Sequence, residues 1–184
     1  MSLKELTKKN HSNAERSWFA GRMFSGQITP PEYAIYLKQQ YESYSALETK
    51  FDDSDIKFPD ERIKRTKNIF KDLIEMDSDG DNLPVLESTL KYSSYIKDCP
   101  DNLLYAHVYV RYLGDLKGGQ MISKRVPGKG LYYQFEEPDI LEQYIRRELR
   151  DDDEFVEECK KCFTFATQSF EDIKDYIERE IQLS

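Results

Sequence analysis

The 184-residue chain predicts an all-α, single-domain helical bundle spanning residues 1–184. Three observations predict it. Apolar residues recur at helical spacing along almost the whole chain, with no alternating runs of the kind half-buried strands show. Helix start and stop signals cut that pattern into segments: Thr29-Pro30-Pro31-Glu32, Cys99-Pro100-Asp101 and Pro127-Gly128-Lys129-Gly130. No internal repeat or domain linker interrupts them, and the length suits one domain with a proper core.

Taken in order, Leu3 to about Phe24 reads as a first helix, with Leu6, Ala14, Trp18 and Phe19 facing inward. Thr29 is the expected N-cap of the second helix. Pro30 and Pro31 sit in its first turn and Glu32 completes a capping box. It runs to about Phe51, placing Tyr33, Tyr36, Leu37, Tyr41, Tyr44 and Leu47 at helical spacing. Asp52 to Asp60 reads as a polar loop. Roughly Asp60–Glu75 is an amphipathic helix around Ile63, Ile69, Phe70 and Leu73. Asp77 to Asn82 is a turn. It resembles a calcium loop only loosely, because its glycine is in the fourth position and Ser88 stands where the closing Glu belongs. Pro84–Lys97 is a further helix, and Asp101 is placed to cap the long helix that follows. Pro127–Gly130 ends that segment, and Tyr132, Tyr133 and Phe135 mark a short irregular stretch. Ile140–Arg150 and Glu154–Leu183 complete the helices.

Composition narrows the function. A formal net charge of −8, from 27 basic and 35 acidic residues, argues against a general nucleic-acid binder. No apolar run approaches a membrane span, neither end reads as a signal or a tail anchor, and a cytoplasmic location is expected. If the chain is a processed form, the plastid stroma is the alternative. Three cysteines, Cys99, Cys159 and Cys162, fit a reducing compartment rather than a disulfide scaffold. Cys159 and Cys162 form a C-x-x-C inside a helical pattern with no second pair to complete a zinc site, so packing is their expected role.

Residues 109–120, Tyr-Val-Arg-Tyr-Leu-Gly-Asp-Leu-Lys-Gly-Gly-Gln, carry the most information. Each glycine inside a helix costs roughly 1 kcal/mol relative to alanine. Such a cost is tolerated where backbone bends or where something flat comes close. At about 100° per residue, Gly114 and Gly118 share a face, with Leu104, His107, Arg111 and Asp115 beside them. That stripe suits the ceiling of a planar ligand. Of the two histidines, His11 has Glu15 four residues on, within reach of one ring nitrogen. Taken alone, such a pair is usually an ordinary surface contact. His107 reads either as a second ligand or as a buried, hydrogen-bonded core residue. Asp115 reads either as a partner of Arg111 or as a site acid, and Tyr44 by itself reads as a packing residue.

These segments resemble the haem oxygenase family. The resemblance is carried by His11 followed by Ala14 and Glu15, and by Tyr109, Arg111, Tyr112, Leu113, Gly114, Asp115, Leu116, Gly118, Gly119 and Gln120. It continues more weakly through Phe163, Phe165, Gln168 and Phe170. It implies haem held between the first helix and a kinked, glycine-rich distal helix, with His11 as the iron ligand. It implies that Asp115, with Tyr44 and Arg111, organises a distal water network. Lys4 and Arg146 are implied as propionate contacts, Tyr109 as a further hydroxyl, and Gly114, Gly118 and Phe163 as haem neighbours. The family's lysine four residues before Arg146 is Glu142 here, which weakens that clamp or passes it to Arg147 or Lys8. The implied activity is oxidative opening of haem by O2 to biliverdin, with release of carbon monoxide and iron. Haem is then substrate and cofactor at once.

No nucleotide fingerprint is present, so electrons are expected from an external donor, with ferredoxin the expected one. Lys4, Lys8, Lys9, Arg16 and Arg22, with Lys117, Lys124, Arg125, Arg146 and Arg147, offer a basic patch for an acidic carrier. A bilin reductase is a possible downstream partner. The rival readings are a haem-binding or storage protein of the same fold without turnover, and a helical interaction module or thiaminase-like enzyme with no use for haem.

Overall fold

A computed structural model describes residues 1–182, and no strand occurs among them. The first helical region is three helices rather than one: α1 (Leu3–Leu6), α2 (Lys8–Glu15) and α3 (Trp18–Ser25). Two hydroxyl side chains account for the breaks. Thr7 donates its Oγ1 hydrogen to the Leu3 carbonyl at 2.9 Å, and Ser17 takes an extended backbone and caps α3 by accepting from Ala20 N at 3.2 Å. Short hydroxyl side chains compete for backbone partners in this way, and so start new helices within an apolar pattern. Gly26, at φ 75°, ends α3 in the left-handed conformation that glycine adopts freely. Leu6 and Trp18 are only half-buried as a result of the changes in direction, whereas Ala14 and Phe19 lie in the core.

The long α4 (Pro30–Asp52) begins as its sequence predicts. Glu32 accepts from Thr29 N at 2.9 Å while Thr29 accepts from Glu32 N at 3.4 Å. Such a cap is worth about 1 kcal/mol. Every residue from Glu32 to Gln40 is buried, since α5 (Thr66–Met76), α6 (Glu87–Lys97) and α10 (Asp153–Tyr176) all pack on it. The predicted Asp60–Glu75 helix is split into a 3-10 turn, Glu61–Ile63, and α5. Phe70 stays at the surface against Tyr41, outside the core that Ile63, Ile69 and Leu73 share. Asp101 lies within a 3-10 turn (Asp101–Leu103), and the cap expected of it is absent: no side chain caps α7 (Leu104–His107).

A π-turn, Val108–Leu113, joins α7 to α8 (Gly114–Ile122). A 3-10 turn at Leu131–Tyr133 leads to α9 (Pro138–Arg146), which stops short of Arg150. After α10 a second π-turn, Ile177–Ile181, closes the described chain, and the predicted helix end at Leu183 lies outside the described residues.

Candidate functional site

The π-turn decides which residues share a face. A π-turn closes i→i+5 hydrogen bonds, so one extra residue enters the turn and later side chains rotate relative to a continuous α-helix. The single stripe expected from 100° spacing is therefore divided. Leu104, His107 and Arg111 point into the core, while Gly114 is exposed and Gly118 half-exposed.

Those two glycines have open faces. A Cβ added at Gly114 would meet nothing within 4 Å, and one at Gly118 would meet only Ile122 Cδ1 at 3.8 Å. Gly119 differs, since its Cβ would press on the Tyr133 carbonyl at 3.0 Å. Internal packing therefore explains Gly119 and leaves the bare backbone at Gly114 and Gly118 facing outward.

Between them, Asp115 is half-buried with its carboxyl turned onto two tyrosines. Tyr44, fully buried on α4, donates to Oδ2, and Tyr132 lies 3.1 and 3.2 Å from the two oxygens. Gln40 donates to the Tyr132 hydroxyl at 2.8 Å. Burial pushes the Asp115 carboxyl up to about 7, against the opposing effect of both tyrosine bonds and of Arg111 and Arg65. The residue is thus poised to hold or release a proton near neutrality. Arg111 forms no ion pair with it. Its guanidinium lies 4.1 Å over the Tyr92 ring, is buried, and its Nε has no partner. The expected direct Arg111–Asp115 pairing fails because the π-turn removes the regular i, i+4 alignment.

His11 stands on α2 with its side chain 54% exposed. Glu15 meets its Nε2 at 3.3 Å, and the Phe163 ring from α10 lies edge-on at 5.7 Å. One ring nitrogen is engaged and the other is available. His107 is the opposite case. Tyr92 Oη is 2.8 Å from its Nδ1 and Glu158 Oε1 is 2.8 Å from its Nε2, all buried. Tyr95 and Cys99 also donate to Glu158. Burial disfavours a charged His107 ring, but Tyr92, Cys162 and Cys99 outweigh it and raise its pKa. Glu158 is held below its ordinary value despite burial, by His107 and Tyr95. Cys99, His107 and Glu158 are near enough to surround an ion, yet each ligand atom already has a protein partner. His107 is a satisfied core histidine with neither nitrogen free for a second ligand. Cys159 and Cys162 are buried free thiols.

The cations divide as well. Arg146 binds Glu142 at 2.9 Å, and Glu142 also accepts from Lys117 at 2.9 Å, tying α9 to α8. Arg22 is taken by Glu32 at 2.7 Å. Lys4, Lys8, Lys9 and Arg16 are exposed and form no ion pair among the described residues. Tyr109 is half-buried against the core, well apart in role from the Asp115 tyrosines. Sequence pattern alone gives Tyr132 and Gln40 no role at the site. The available signal was the Tyr132–Tyr133 doublet just after Gly130, because a buried tyrosine hydroxyl needs a partner.

The family profile described as heme oxygenase matches residues 1–172. Heme oxygenase 2 of Mus musculus is 28% identical over 202 residues, covering 93% of this chain. The chain spans 64% of the length of that relative. Among solved structures, heme oxygenase-1 of the cyanobacterium Synechocystis, in complex with heme, superposes with a TM-score of 0.83 at 24% identity, over 98% of this chain and 94% of its own. Heme oxygenase of Leptospira interrogans gives a TM-score of 0.80 at 28% identity, over 92% and 98%. No helix among the described residues is long and apolar enough to cross a membrane.

Proposed function

We propose that this chain, which belongs to the haem oxygenase family, opens haem oxidatively to biliverdin with release of carbon monoxide and ferrous iron. The observation that carries the reading is the open backbone at Gly114 and Gly118, flanking a carboxyl poised near neutrality. That surface suits a flat group pressed against main chain, and the unpartnered Nε of buried Arg111 suits a polar network completed from outside. His11, with Glu15 on its other nitrogen and Phe163 at its edge, would hold the iron. Bound haem supplies the redox chemistry and is itself the substrate.

The chain's own residues do the rest. Gly114 and Gly118 admit the ring face closely, and bare backbone steers reactants toward one ring edge. Asp115, steadied by Tyr44, holds a proton at its carboxyl and relays it through water rather than by direct contact. The buried Arg111 charge keeps that region favourable to anionic character. Lys4 and Arg146 would meet the propionates. Arg146 shares its charge with Glu142, so the contact at that end is weakened. Tyr109 would add a hydroxyl. Electrons would come from ferredoxin, docking on exposed Lys4, Lys8, Lys9 and Arg16, and a bilin reductase would take the product. A cytoplasmic setting fits the three reduced cysteines.

The test is aerobic incubation with hemin, ferredoxin and its reductase. Loss of the Soret band with growth of biliverdin absorbance is expected. A stable haem spectrum would leave the non-catalytic binder of the same fold, and no Soret band would remove both. Replacing Asp115 by Ala is expected to lower biliverdin yield and raise oxidation of a peroxidase substrate; an unchanged yield removes its proposed role.

A further inference from the structure

The tyrosine that follows Leu131 is held in place more firmly than a loop residue needs to be. Asp72 on α5 accepts from Leu131 N at 3.1 Å and from Tyr132 N at 2.8 Å. Arg65 donates to the Tyr132 carbonyl at 3.1 Å and to the Gln134 carbonyl at 2.7 Å. The Tyr132 ring stacks on Tyr133 at 4.1 Å and on Tyr36 at 6.4 Å. Its hydroxyl is fully enclosed, with Gln40 on one side and Asp115 on the other. The order of donors is fixed by chemistry. Gln40 Nε2 has only hydrogens to offer, so it fills a lone pair on the Tyr132 oxygen and leaves the phenolic hydrogen for Asp115. A hydrogen bond to an ionised acceptor is about twice as strong as a neutral one.

We propose that Tyr132, aimed by Gln40, is a second positioning residue for Asp115, sharing with Tyr44 the task of orienting and stabilising its carboxylate. The inference deepens the haem reading and rests on it for its functional meaning. Tyr133 supplies the contrast. It stacks in the same cluster, but its hydroxyl bonds Tyr36 at 2.6 Å and does not touch Asp115. The other groups coupled by charge to Asp115 are Tyr33, Tyr36 and Tyr44 on α4, Arg111 and Tyr112 in the π-turn, Arg65 beside α5, and Tyr133, which acts on it without a hydrogen bond.

The experiment titrates Asp115 in the haem-free protein by carbon-13 NMR of labelled aspartate, identifying its signal with Asp115→Asn. Tyr132→Phe is expected to raise the midpoint by about one pH unit, because a donor to the charged form is lost. Tyr133→Phe is expected to leave it unmoved. No shift with Tyr132→Phe, or an equal shift with both, overturns the proposal. Should Tyr132→Phe not fold, difluorotyrosine at position 132 keeps the hydroxyl and makes it a stronger donor. The midpoint then falls if the proposal holds, and stays if it does not. The functional arm measures hemin turnover by Tyr132→Phe, which is expected to drop with hemin affinity unchanged. Failure of the unsubstituted chain to bind hemin would remove the haem reading while leaving the carboxyl titration to stand or fall alone.

Discussion

The two histidines of this chain live in opposite surroundings. His11 is half exposed on a short helix, with one carboxylate nearby and a nitrogen to spare. His107 is sealed in the core, with both nitrogens bonded and its carboxylate partner bonded in turn by Tyr95 and Cys99. The contrast teaches that a histidine's chemistry follows from what is left unbonded. A core that satisfies every polar atom gains specificity and has nothing to offer a ligand. A surface imidazole with one oriented nitrogen contributes little to folding and can bind from outside.

The comparison breaks most readily on its buried side. Glu158→Gln keeps the shape but leaves a buried imidazole without its counter-charge. A loss of roughly 3–5 kcal/mol of stability is expected by chemical denaturation. Glu15→Gln, on the exposed side, is expected to cost under about 0.5 kcal/mol. Comparable losses at both positions would erase the distinction.

Asp115 sharpens the comparison, since it is only half-buried yet its carboxyl is turned inward onto two tyrosines, and it belongs to the candidate site. Its folded pKa, about 7, lies above the ordinary 3.8, so folding favours the protonated form. It therefore contributes stability at low pH that is lost as pH rises through about 7. Asp115→Asn should gain on the unsubstituted protein between pH 5 and pH 8, by on the order of 1–3 kcal/mol. Glu48, also pushed up to about 7 by burial, is common to both proteins and cancels. A pH-independent difference would contradict the assignment.

The smallest effect is expected at Glu142. Glu142→Lys frees Lys117 and Arg146 and adds a cation, and hemin affinity should rise roughly two- to five-fold, as exposed ion pairs do. A fall would place the propionates elsewhere.

Much of this was legible in the residues. The Thr29–Glu32 box and the tyrosine face of α4 follow from local spacing, and a buried, hydrogen-bonded His107 is one of the two readings its position allows. What escaped was long-range or subtle. The Thr7 and Ser17 breaks turn on single hydroxyls that also fit a helical pattern. The π-turn leaves no sequence mark, yet it shifts the phase between His107 and Gly114 and separates Arg111 from Asp115. Tyr132 reaches Asp115 only because Asp72 and Arg65, far away in sequence, hold its backbone.

Resonance Raman of the ferrous hemin complex tests the role of His11 most directly. The iron–histidine stretch should appear in the unsubstituted protein, vanish in His11→Ala and return as an iron–imidazole band when imidazole is added, while His107→Asn retains it in whatever fraction folds. An unaltered stretch in His11→Ala, or its loss only in His107→Asn, would contradict the account.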